Sequence, residues 1–245
     1  MAFIDLHYFS TALGKQTAAW ALVPEGLEPP YQVMFLLHGL SDDHTIWLRR
    51  TSLERYIEGL PLVVVMPDGG RGFYADAEAG FAYGTAIGKE LPDLIKKILP
   101  VKQGGWAIQG LSMGGYGALR LAFAYPETFA SAVSHSGAVA YGHFPDDWRQ
   151  DNDWSRETER ILGKEPAGGP NDLFALAEKH KAQPKFRFDC GTGDFLIESN
   201  REFHRHLEAI GRPHEYDEHP GEHNWAYWDD HVMSGIEFHR KNLGF

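Results

Sequence analysis

A serine with a glycine two residues away on either side is the first candidate for chemistry in this sequence. Ser112 is the central residue of Gly-Leu-Ser-Met-Gly, residues 110–114. A short apolar run at 106–108 precedes it, and a helix-like run at 116–124 follows it. A serine on a tight turn from strand to helix is held out of the sheet, where its hydroxyl can attack a substrate. The pattern therefore predicts that Ser112 is a nucleophile.

An acidic residue that supports the serine is expected further along the chain. A serine hydroxyl is a poor nucleophile at neutral pH, so it requires a general base, and the base requires a carboxylate that orients it. In enzymes with this strand–turn–helix serine, the acid precedes the histidine in chain order. Asp194 follows the apolar run at 186–190 and is the predicted acid. Asp189 is the alternative, but it lies inside that run.

A histidine after the last predicted strand is the expected general base. His223 lies between an extended stretch at 214–218 and a C-terminal helix at about 225–242. A loop in that position can reach back over the sheet edge that carries the serine. The chain has 13 histidines, so position and chain order select His223, not residue type. His219, in the same segment, is the alternative.

Two backbone amides are predicted to stabilise the negative charge that develops on the substrate oxygen. The first belongs to Met113, directly after the predicted nucleophile. The second belongs to Leu40, in the loop after the apolar run at 33–37, where Gly39 permits a sharp turn. We expect His38 to bond the backbone rather than to act as a second base.

Apolar runs bounded by proline and glycine predict the central sheet. Runs that are apolar on both faces are typical of buried parallel strands covered by helices. They lie at 33–37, 62–66, 106–108, 130–133 and 186–190. Helix-like stretches alternate with them at 46–57, 85–98, 116–124 and 199–210. This alternation predicts an α/β fold with a mostly parallel sheet.

Two further segments complete the predicted architecture. The alternating residues at 3–10 and a second strand at 18–23 predict an N-terminal antiparallel hairpin. The polar segment at about 141–184 is predicted to form a short helical excursion over the sheet edge that carries the active site. It has too few apolar residues for a core of its own, so we expect residues 1–245 to form a single domain.

The composition excludes several classes of function. The net charge of −11 argues against nucleic acid as a partner, since phosphate binding needs clustered lysine and arginine. No apolar run approaches the length of a membrane span, and the N-terminus lacks a basic region followed by an apolar block. We therefore expect no membrane partner and a cytoplasmic location. Cys190 is the single cysteine, so no intramolecular disulfide can form, and we expect a buried thiol.

Aromatic residues near predicted strand ends are candidates for the wall of a substrate pocket, since α/β sites form there. They are Trp47, Phe73, Tyr74, Tyr83, Trp148 and Trp225. Neither the acidic loop at 42–44 nor the set Glu202, His204 and His206 has the convergence or spacing of metal ligands. We therefore expect no metal and no cofactor.

Four motifs together resemble the esterase D group of α/β hydrolases, with the tributyrin esterase type as the nearest match. They are His-Gly-Leu at 38–40, Met-Pro-Asp-Gly-Gly-Arg-Gly-Phe-Tyr at 66–74, Gly-Leu-Ser-Met-Gly-Gly-Tyr-Gly at 110–117 and Pro-Gly-Glu-His-Asn-Trp at 220–225. The resemblance extends over nearly the whole chain and implies an α/β-hydrolase fold. It also implies that Ser112, Asp194 and His223 form a catalytic triad, with Leu40 and Met113 at the oxyanion hole.

The esterase D group also includes S-formylglutathione hydrolases and feruloyl esterases. The resemblance implies cytosolic hydrolysis of short acyl esters, so we expect a serine carboxylesterase that forms an acyl-enzyme with a small-molecule ester. The alternatives are a thioesterase such as S-formylglutathione hydrolase, an acyltransferase, and a non-enzymatic binding protein on the same fold. The formylglutathione branch has histidine where this chain has Leu111, which favours the ester. A homo-oligomer is left open.

Overall fold

The buried apolar runs of the sequence form one central sheet. The computed structural model describes residues 1–144, 152–179 and 184–245, and within them the sheet has eight strands. They are β1 (Ala2–Ser10), β2 (Lys15–Val23), β3 (Gln32–Leu37), β4 (Leu62–Pro67), β5 (Trp106–Leu111), β6 (Phe129–His135), β7 (Lys185–Gly191) and β8 (Glu215–His219). Strands β3, β4 and β5 are buried along their whole length, as expected for strands covered on both faces.

The strand order brings the loops that carry the predicted site residues to one edge of the sheet. The order is β1-β2-β4-β3-β5-β6-β7-β8. Strands β1 and β2 form an antiparallel hairpin, β2 pairs antiparallel with β4, and every pair from β4 to β8 is parallel. The predicted hairpin and mostly parallel sheet are confirmed. Because parallel strands have their carboxyl ends at the same edge, the loops after β3, β5, β7 and β8 meet there.

Helices cover both faces of the sheet. They are α1 (Ile46–Arg50), α2 (Leu53–Tyr56), α3 (Tyr83–Thr85), α4 (Leu91–Ile98), α5 (Met113–Ala124), α6 (Asp153–Leu162), α7 (Leu173–Lys179), α8 (Ile197–Ala209) and α9 (Trp225–Leu243). Alternate side chains of β3 contribute to two cores. Phe35 belongs to the core that includes residues of α4, α5 and α8, and Met34 belongs to the core that includes residues of α1, α2 and α9. None of the described helices is both long enough and apolar enough to span a membrane.

The predicted helix at 46–57 is wrong, because the chain forms two short helices there. Thr51 is extended, with φ −131° and ψ 171°, and it ends α1. Its hydroxyl donates to the Trp47 carbonyl at 2.7 Å and accepts from the Leu53 N–H at 3.2 Å. A threonine hydroxyl that bonds nearby backbone groups competes with the helical hydrogen bonds. The same side chain therefore ends α1 and begins α2.

The predicted helix at 85–98 begins earlier and is interrupted by a π-helical turn at Ala86–Glu90, between α3 and α4. Pro92 follows that turn and has no N–H to donate to the carbonyl of the preceding helical turn. The Glu90 carboxylate accepts from the Ser10 hydroxyl at 2.6 Å and from the Ala12 N–H at 3.0 Å. The irregular turn thus ties this helix to the N-terminal hairpin.

The segment between β6 and β7 contains α6 and α7 and is fastened to the loop after β4. The Glu78 N–H donates to the Ile161 carbonyl at 3.0 Å. Arg71 makes a two-pronged ion pair with the Glu157 carboxylate on α6. These contacts hold α6 beside the sheet edge, where the helical excursion was expected.

Candidate active site

Ser112 lies on the turn between β5 and α5, in a conformation that its flanking glycines make accessible. Its φ of 53° and ψ of −117° are strained for a residue with a side chain. A Cβ added at Gly114 would lie 2.5 Å from the Leu37 carbonyl oxygen, and one at Gly110 would lie 2.3 Å from the Gly114 carbonyl oxygen. Glycine at both positions therefore lets β3, β5 and α5 approach closely around the serine.

Side chains from three loops far apart in the sequence form one hydrogen-bonded chain. The Ser112 Oγ lies 3.0 Å from Nε2 of His223, and Nδ1 of His223 lies 2.8 and 3.0 Å from the two oxygens of Asp194. A carboxylate only accepts, so Nδ1 carries the proton and Nε2 is left to accept from the serine hydroxyl. This is the tautomer in which His223 can remove the proton of Ser112.

Asp194 is held as a buried carboxylate, with only 2% of the residue exposed. Burial raises the pKa of Asp194, but hydrogen bonds from His223 and from the Leu196 N–H at 2.8 Å outweigh it, and the pKa is lower than usual. The carboxylate is therefore charged at neutral pH and orients the imidazole. The His223 side chain is 18% exposed, so its other face is within reach of a substrate.

The residues that the sequence offered as alternatives to Asp194 and His223 make contacts away from the serine. Asp189 lies inside β7, fully buried, where its carboxylate accepts from His135 and from the Tyr227 hydroxyl. His219 ends β8, and its ring packs against His231 with the ring centroids 4.6 Å apart. Among the described contacts, neither alternative is hydrogen-bonded to the serine.

The loop after β3 lies directly against the serine turn. A Cβ added at Gly39 would lie 2.6 Å from the Leu111 side chain and 3.7 Å from the Ser112 Cβ. The next residue, Leu40, lines one cavity together with Ser112 and Met113. The structure thus brings together the two residues whose amides the sequence suggested as an oxyanion hole.

His38 holds this loop in place. Its Nδ1 lies 2.7 Å from the Gly39 carbonyl oxygen, and its Nε2 accepts from the Gly69 N–H at 2.9 Å. The Tyr74 hydroxyl donates to the His38 carbonyl at 2.9 Å. Both ring nitrogens are therefore bonded to the backbone, which confirms the structural role expected for His38.

An apolar cavity of about 220 Å³ opens beside Ser112. Small residues, Ala138, Ala140 and Gly142, form part of its lining, and its larger side chains are those of Phe73, Tyr141, Trp154, Phe195 and Leu196. Trp154 comes from α6, so the excursion between β6 and β7 supplies part of the wall. The cavity can hold an apolar group attached to the carbon that the serine would attack.

Three aromatic rings close one side of this cavity. Phe73 and Tyr141 stack with their centroids 3.7 Å apart and their planes at 16°. The Trp154 ring lies 5.9 Å from Phe73 and 5.8 Å from Tyr141. The Tyr141 hydroxyl donates to Thr158 Oγ1 at 3.2 Å, which fixes the stack to α6. We call these three residues the aromatic wall.

Phe73 is the one residue among the described aromatic candidates that reaches the cavity. Trp47 and Trp225 do not, since their rings pack against each other with centroids 5.2 Å apart, in the core with α1 and α9. The Trp47 N–H donates to the Leu37 carbonyl at 3.0 Å, which turns this side chain inward beneath the end of β3. Trp47 therefore lies near the end of β3, as predicted, but its ring packs on the face of the sheet opposite the cavity.

Tyr74 and Tyr83 are also placed away from the cavity. Tyr74 is fully buried, and its hydroxyl is used by the backbone of the loop after β3. Tyr83 packs over Gly72, where an added Cβ would lie 2.2 Å from the ring. Trp148 lies outside the described residues.

Sequence reasoning missed Tyr141, Trp154 and Phe195 as cavity residues. Phe195 directly follows Asp194, so its position was a usable signal, and its ring lies 4.5 Å from that of His223. Tyr141 and Trp154 belong to the polar excursion, whose path over the sheet depends on contacts distant in the sequence.

Residues 1–144, 152–179 and 184–245 contain no group of three or more histidine, cysteine, aspartate or glutamate side chains that could hold a metal ion. The acidic loop at 42–44 serves a local turn instead, since the Asp43 carboxylate accepts from the Thr45 N–H at 2.9 Å.

The mostly parallel sheet and the strained serine beside its histidine define the chain as a serine hydrolase with the α/β-hydrolase fold. A family model described as "Putative esterase" matches residues 10–236, and the chain belongs to this esterase family. The predicted fold class, the resemblance to this esterase group and the esterase function are therefore confirmed.

Individual relatives agree with this assignment. The acetyl esterase of Caldicellulosiruptor saccharolyticus is 28% identical, over 98% of this chain and 99% of that protein. The substrate-bound fluorophosphonate-binding serine hydrolase F of Staphylococcus aureus is 32% identical with a TM-score of 0.86, covering 97% of this chain and 98% of that one. The S-formylglutathione hydrolase apoenzyme of the same species is 32% identical with a TM-score of 0.84 and the same coverage.

Proposed function

We propose that this protein is a carboxylesterase in which Ser112 attacks the ester carbonyl, His223 transfers the proton and Asp194 orients His223. The observation that carries the proposal is the hydrogen-bonded chain from the Ser112 hydroxyl through His223 to the Asp194 carboxylate. A serine on a strained turn, with an imidazole nitrogen 3.0 Å from its oxygen, is arranged for acyl transfer.

Acylation begins when the Ser112 oxygen bonds to the acyl carbon and its proton moves to Nε2 of His223. The amides of Leu40 and Met113 donate to the carbonyl oxygen as it becomes negative. Each preorganised donor of this kind lowers a barrier by about 3 kcal/mol. The tetrahedral intermediate then expels the alcohol, which takes the proton from His223 and leaves the acyl group on Ser112.

Deacylation repeats these steps with water in place of the alcohol. Nε2 of His223 takes a proton from water as the water oxygen bonds to the acyl carbon. The second tetrahedral intermediate expels the Ser112 oxygen, which recovers its proton from His223, and the acid is released. Asp194 stays ionised throughout and stabilises the imidazolium, in keeping with its lowered pKa.

The acyl group of the substrate is short, from acetyl to butyryl. The cavity of about 220 Å³ is smaller than the roughly 300–1,000 Å³ that is usual for drug-sized ligands, and the aromatic wall closes one side of it. The relative named acetyl esterase supports this size class. A chain-length series of nitrophenyl esters tests it: kcat/KM should be highest between acetyl and butyryl, and an optimum at octanoyl or longer would contradict it.

A thioester substrate is the second candidate, because a solved structure that is 32% identical and a relative that is 25% identical are named S-formylglutathione hydrolase. The third candidate is an acyltransferase, in which an alcohol instead of water takes the acyl group from Ser112. Sequence matches to acyltransferases named Ag85, which cover 43% of this chain, support it. Nitrophenyl acetate and S-formylglutathione, competed in one assay with and without added alcohol, separate the three. A higher kcat/KM for the thioester would overturn the ester assignment.

Two other expectations stay predictions, and the sequence leaves the oligomeric state open. The two expectations are a single domain over residues 1–245 and a cytoplasmic location. Sedimentation velocity of the purified chain, limited proteolysis and fractionation of the native host test them separately.

A fluorophosphonate probe tests the nucleophile. Labelling of the wild-type protein should map to Ser112, and Ser112→Ala should abolish both labelling and ester cleavage. Ser234→Ala is the matched control, since that serine lies on α9 and donates only to the His231 carbonyl among the described contacts. Retention of ester cleavage by Ser112→Ala would refute the proposal.

A further inference from the structure

A buried carboxylate lies beneath the site, in contact with the elements that carry it. Asp189, on β7, has no exposed surface. Its oxygens lie 2.9 and 3.0 Å from Nδ1 of His135, and one of them accepts from the Tyr227 hydroxyl at 3.0 Å. Burying a carboxylate costs free energy unless hydrogen-bond donors surround it, so loss of these contacts would destabilise the folded protein.

The contact with His135 leads to the serine turn. Nε2 of His135 accepts from the Gln109 side-chain amide at 2.9 Å, so Nδ1 carries the proton that is donated to Asp189. The carbonyl of His135 accepts the N–H of Ser112 at 3.0 Å. The same amide of Gln109 also donates to the Val232 carbonyl on α9 at 3.1 Å.

The contact with Tyr227 leads to the histidine loop. Tyr227 is the third residue of α9, and its N–H donates to the side chain of Asn224, the residue after His223, at 3.2 Å. The Tyr227 ring packs against Gly221, where an added Cβ would lie 2.5 Å from it. The loop that carries His223 thus contacts Tyr227 on both sides of His223, through the Tyr227 backbone N–H at Asn224 and through the Tyr227 ring at Gly221. The hydroxyl of the same residue is anchored on Asp189.

The loop that carries Asp194 is hydrogen-bonded to the loop that carries His223. Five residues after Asp189 the chain reaches Asp194, and between them the Gly193 N–H donates to the Gly221 carbonyl at 2.8 Å. The acid loop and the histidine loop are therefore bonded to each other at Gly221, the residue against which the Tyr227 ring packs.

We propose that Asp189 and Tyr227 are positioning residues, which hold the histidine loop at the distance from Ser112 that proton transfer requires. The proposal rests on the proposed function, in which His223 is the general base. Tyr227 keeps its proton for this bond, since burial and the charge of Asp189 raise the pKa of its hydroxyl well above the usual range. Misplacement of a catalytic group by about 1 Å can cost on the order of 100-fold in rate.

Tyr227→Phe removes the hydroxyl and keeps the ring. A matched control is Tyr56→Phe, because the Tyr56 hydroxyl also donates to an aspartate, Asp229 on the same helix, at 2.9 Å. Both variants lose one Tyr–Asp bond that anchors α9, but only Tyr227 is joined to the histidine loop. We expect Tyr227→Phe to lower kcat by about tenfold or more with KM changed less than about twofold, and Tyr56→Phe to stay within about twofold of wild type in both.

The His223→Ala background shows whether Tyr227 acts through His223. There, adding Tyr227→Phe should change the residual rate less than about twofold, since the group that it positions is gone. A kcat for Tyr227→Phe equal to that of Tyr56→Phe would overturn the positioning role, as would a tenfold loss that persists without His223.

Ser112→Ala in the same assay separates this proposal from the one on which it rests. Activity retained by Ser112→Ala refutes the proposed function, and the positioning role with it. Activity lost in Ser112→Ala, together with equal rates for the two tyrosine variants, refutes the positioning role alone.

Discussion

Asp194→Asn exchanges one oxygen of the predicted acid for an amide nitrogen with almost no change in shape. The Leu196 N–H donates to Oδ1 of Asp194 at 2.8 Å, so the remaining oxygen of asparagine must stay at that position. The new NH₂ group is then placed at the Oδ2 position, 2.8 Å from Nδ1 of His223. An NH₂ group only donates, and it lies closer to Nδ1 than the remaining oxygen does, at 2.8 Å against 3.0 Å, so we expect Nδ1 to become the acceptor.

The proton of His223 consequently moves to Nε2, the atom that faces the Ser112 hydroxyl at 3.0 Å. In that tautomer Nε2 has no lone pair to accept the serine proton, so the general base is lost while the fold is kept. Loss of the correct tautomer in a Ser-His-Asp site lowers kcat by about 10⁴-fold, which corresponds to about 5.4 kcal/mol in the barrier.

The assay is the steady-state cleavage of nitrophenyl butyrate, with the fold checked by circular dichroism and thermal unfolding. Asp76→Asn is the matched control, since Asp76 likewise accepts a backbone N–H, that of Thr85 at 2.7 Å, away from the serine. We expect Asp76→Asn to retain kcat within about threefold, in line with a residue that affects stability but not the chemistry. A folded Asp194→Asn protein that keeps more than about a tenth of the wild-type kcat would refute the tautomer reasoning.

Three further predictions follow from the same geometry. Trp154→Ala removes one ring of the aromatic wall and should shift the optimum of the nitrophenyl ester series toward longer acyl chains; an unchanged optimum would exclude this ring from the acyl site. Gly114→Ala places a Cβ 2.5 Å from the Leu37 carbonyl oxygen and should lower the melting temperature and disrupt the serine turn; wild-type labelling of Ser112 by a fluorophosphonate would contradict this. The pKa of Asp194 is lowered from 3.8, so its ionised form stabilises the fold above about pH 4 and this contribution is lost as the pH falls through the folded-state pKa. The stability difference between wild type and Asp194→Asn, measured by urea unfolding, should therefore shrink from pH 6 to pH 3.

The serine turn was accessible to sequence reasoning because its glycines stand at a fixed spacing from Ser112. Gly110 is required by a contact inside the turn, with the Gly114 carbonyl oxygen, and Gly114 is required by a contact with the Leu37 carbonyl oxygen at the end of β3. Asp194 and His223 could be selected because the carboxyl ends of parallel strands meet at one edge, which follows from strand order alone. For these residues chain position and the spacing of the two glycines were sufficient.

The pocket could not be predicted in the same way, because it depends on which face of an element packs against a distant one. Trp47 and Trp154 are each the second residue of a helix, yet one ring lies in the core below β3 and the other lines the cavity. The hydrogen bonds from His135 and Tyr227 to Asp189 could not be predicted from the sequence for a different reason. Asp189 lies within an apolar run, and its partners His135 and Tyr227 come from elements about 40 to 50 residues away in either direction.

Trapping of the acyl-enzyme tests the central claim most directly. The wild-type protein is mixed with nitrophenyl butyrate, quenched in acid within the first turnover and digested for peptide mass spectrometry. The catalytic assignment predicts a butyryl group on Ser112, absent from Ser112→Ala and formed far more slowly in His223→Ala. A butyryl group on another residue, or full turnover by Ser112→Ala, would contradict it.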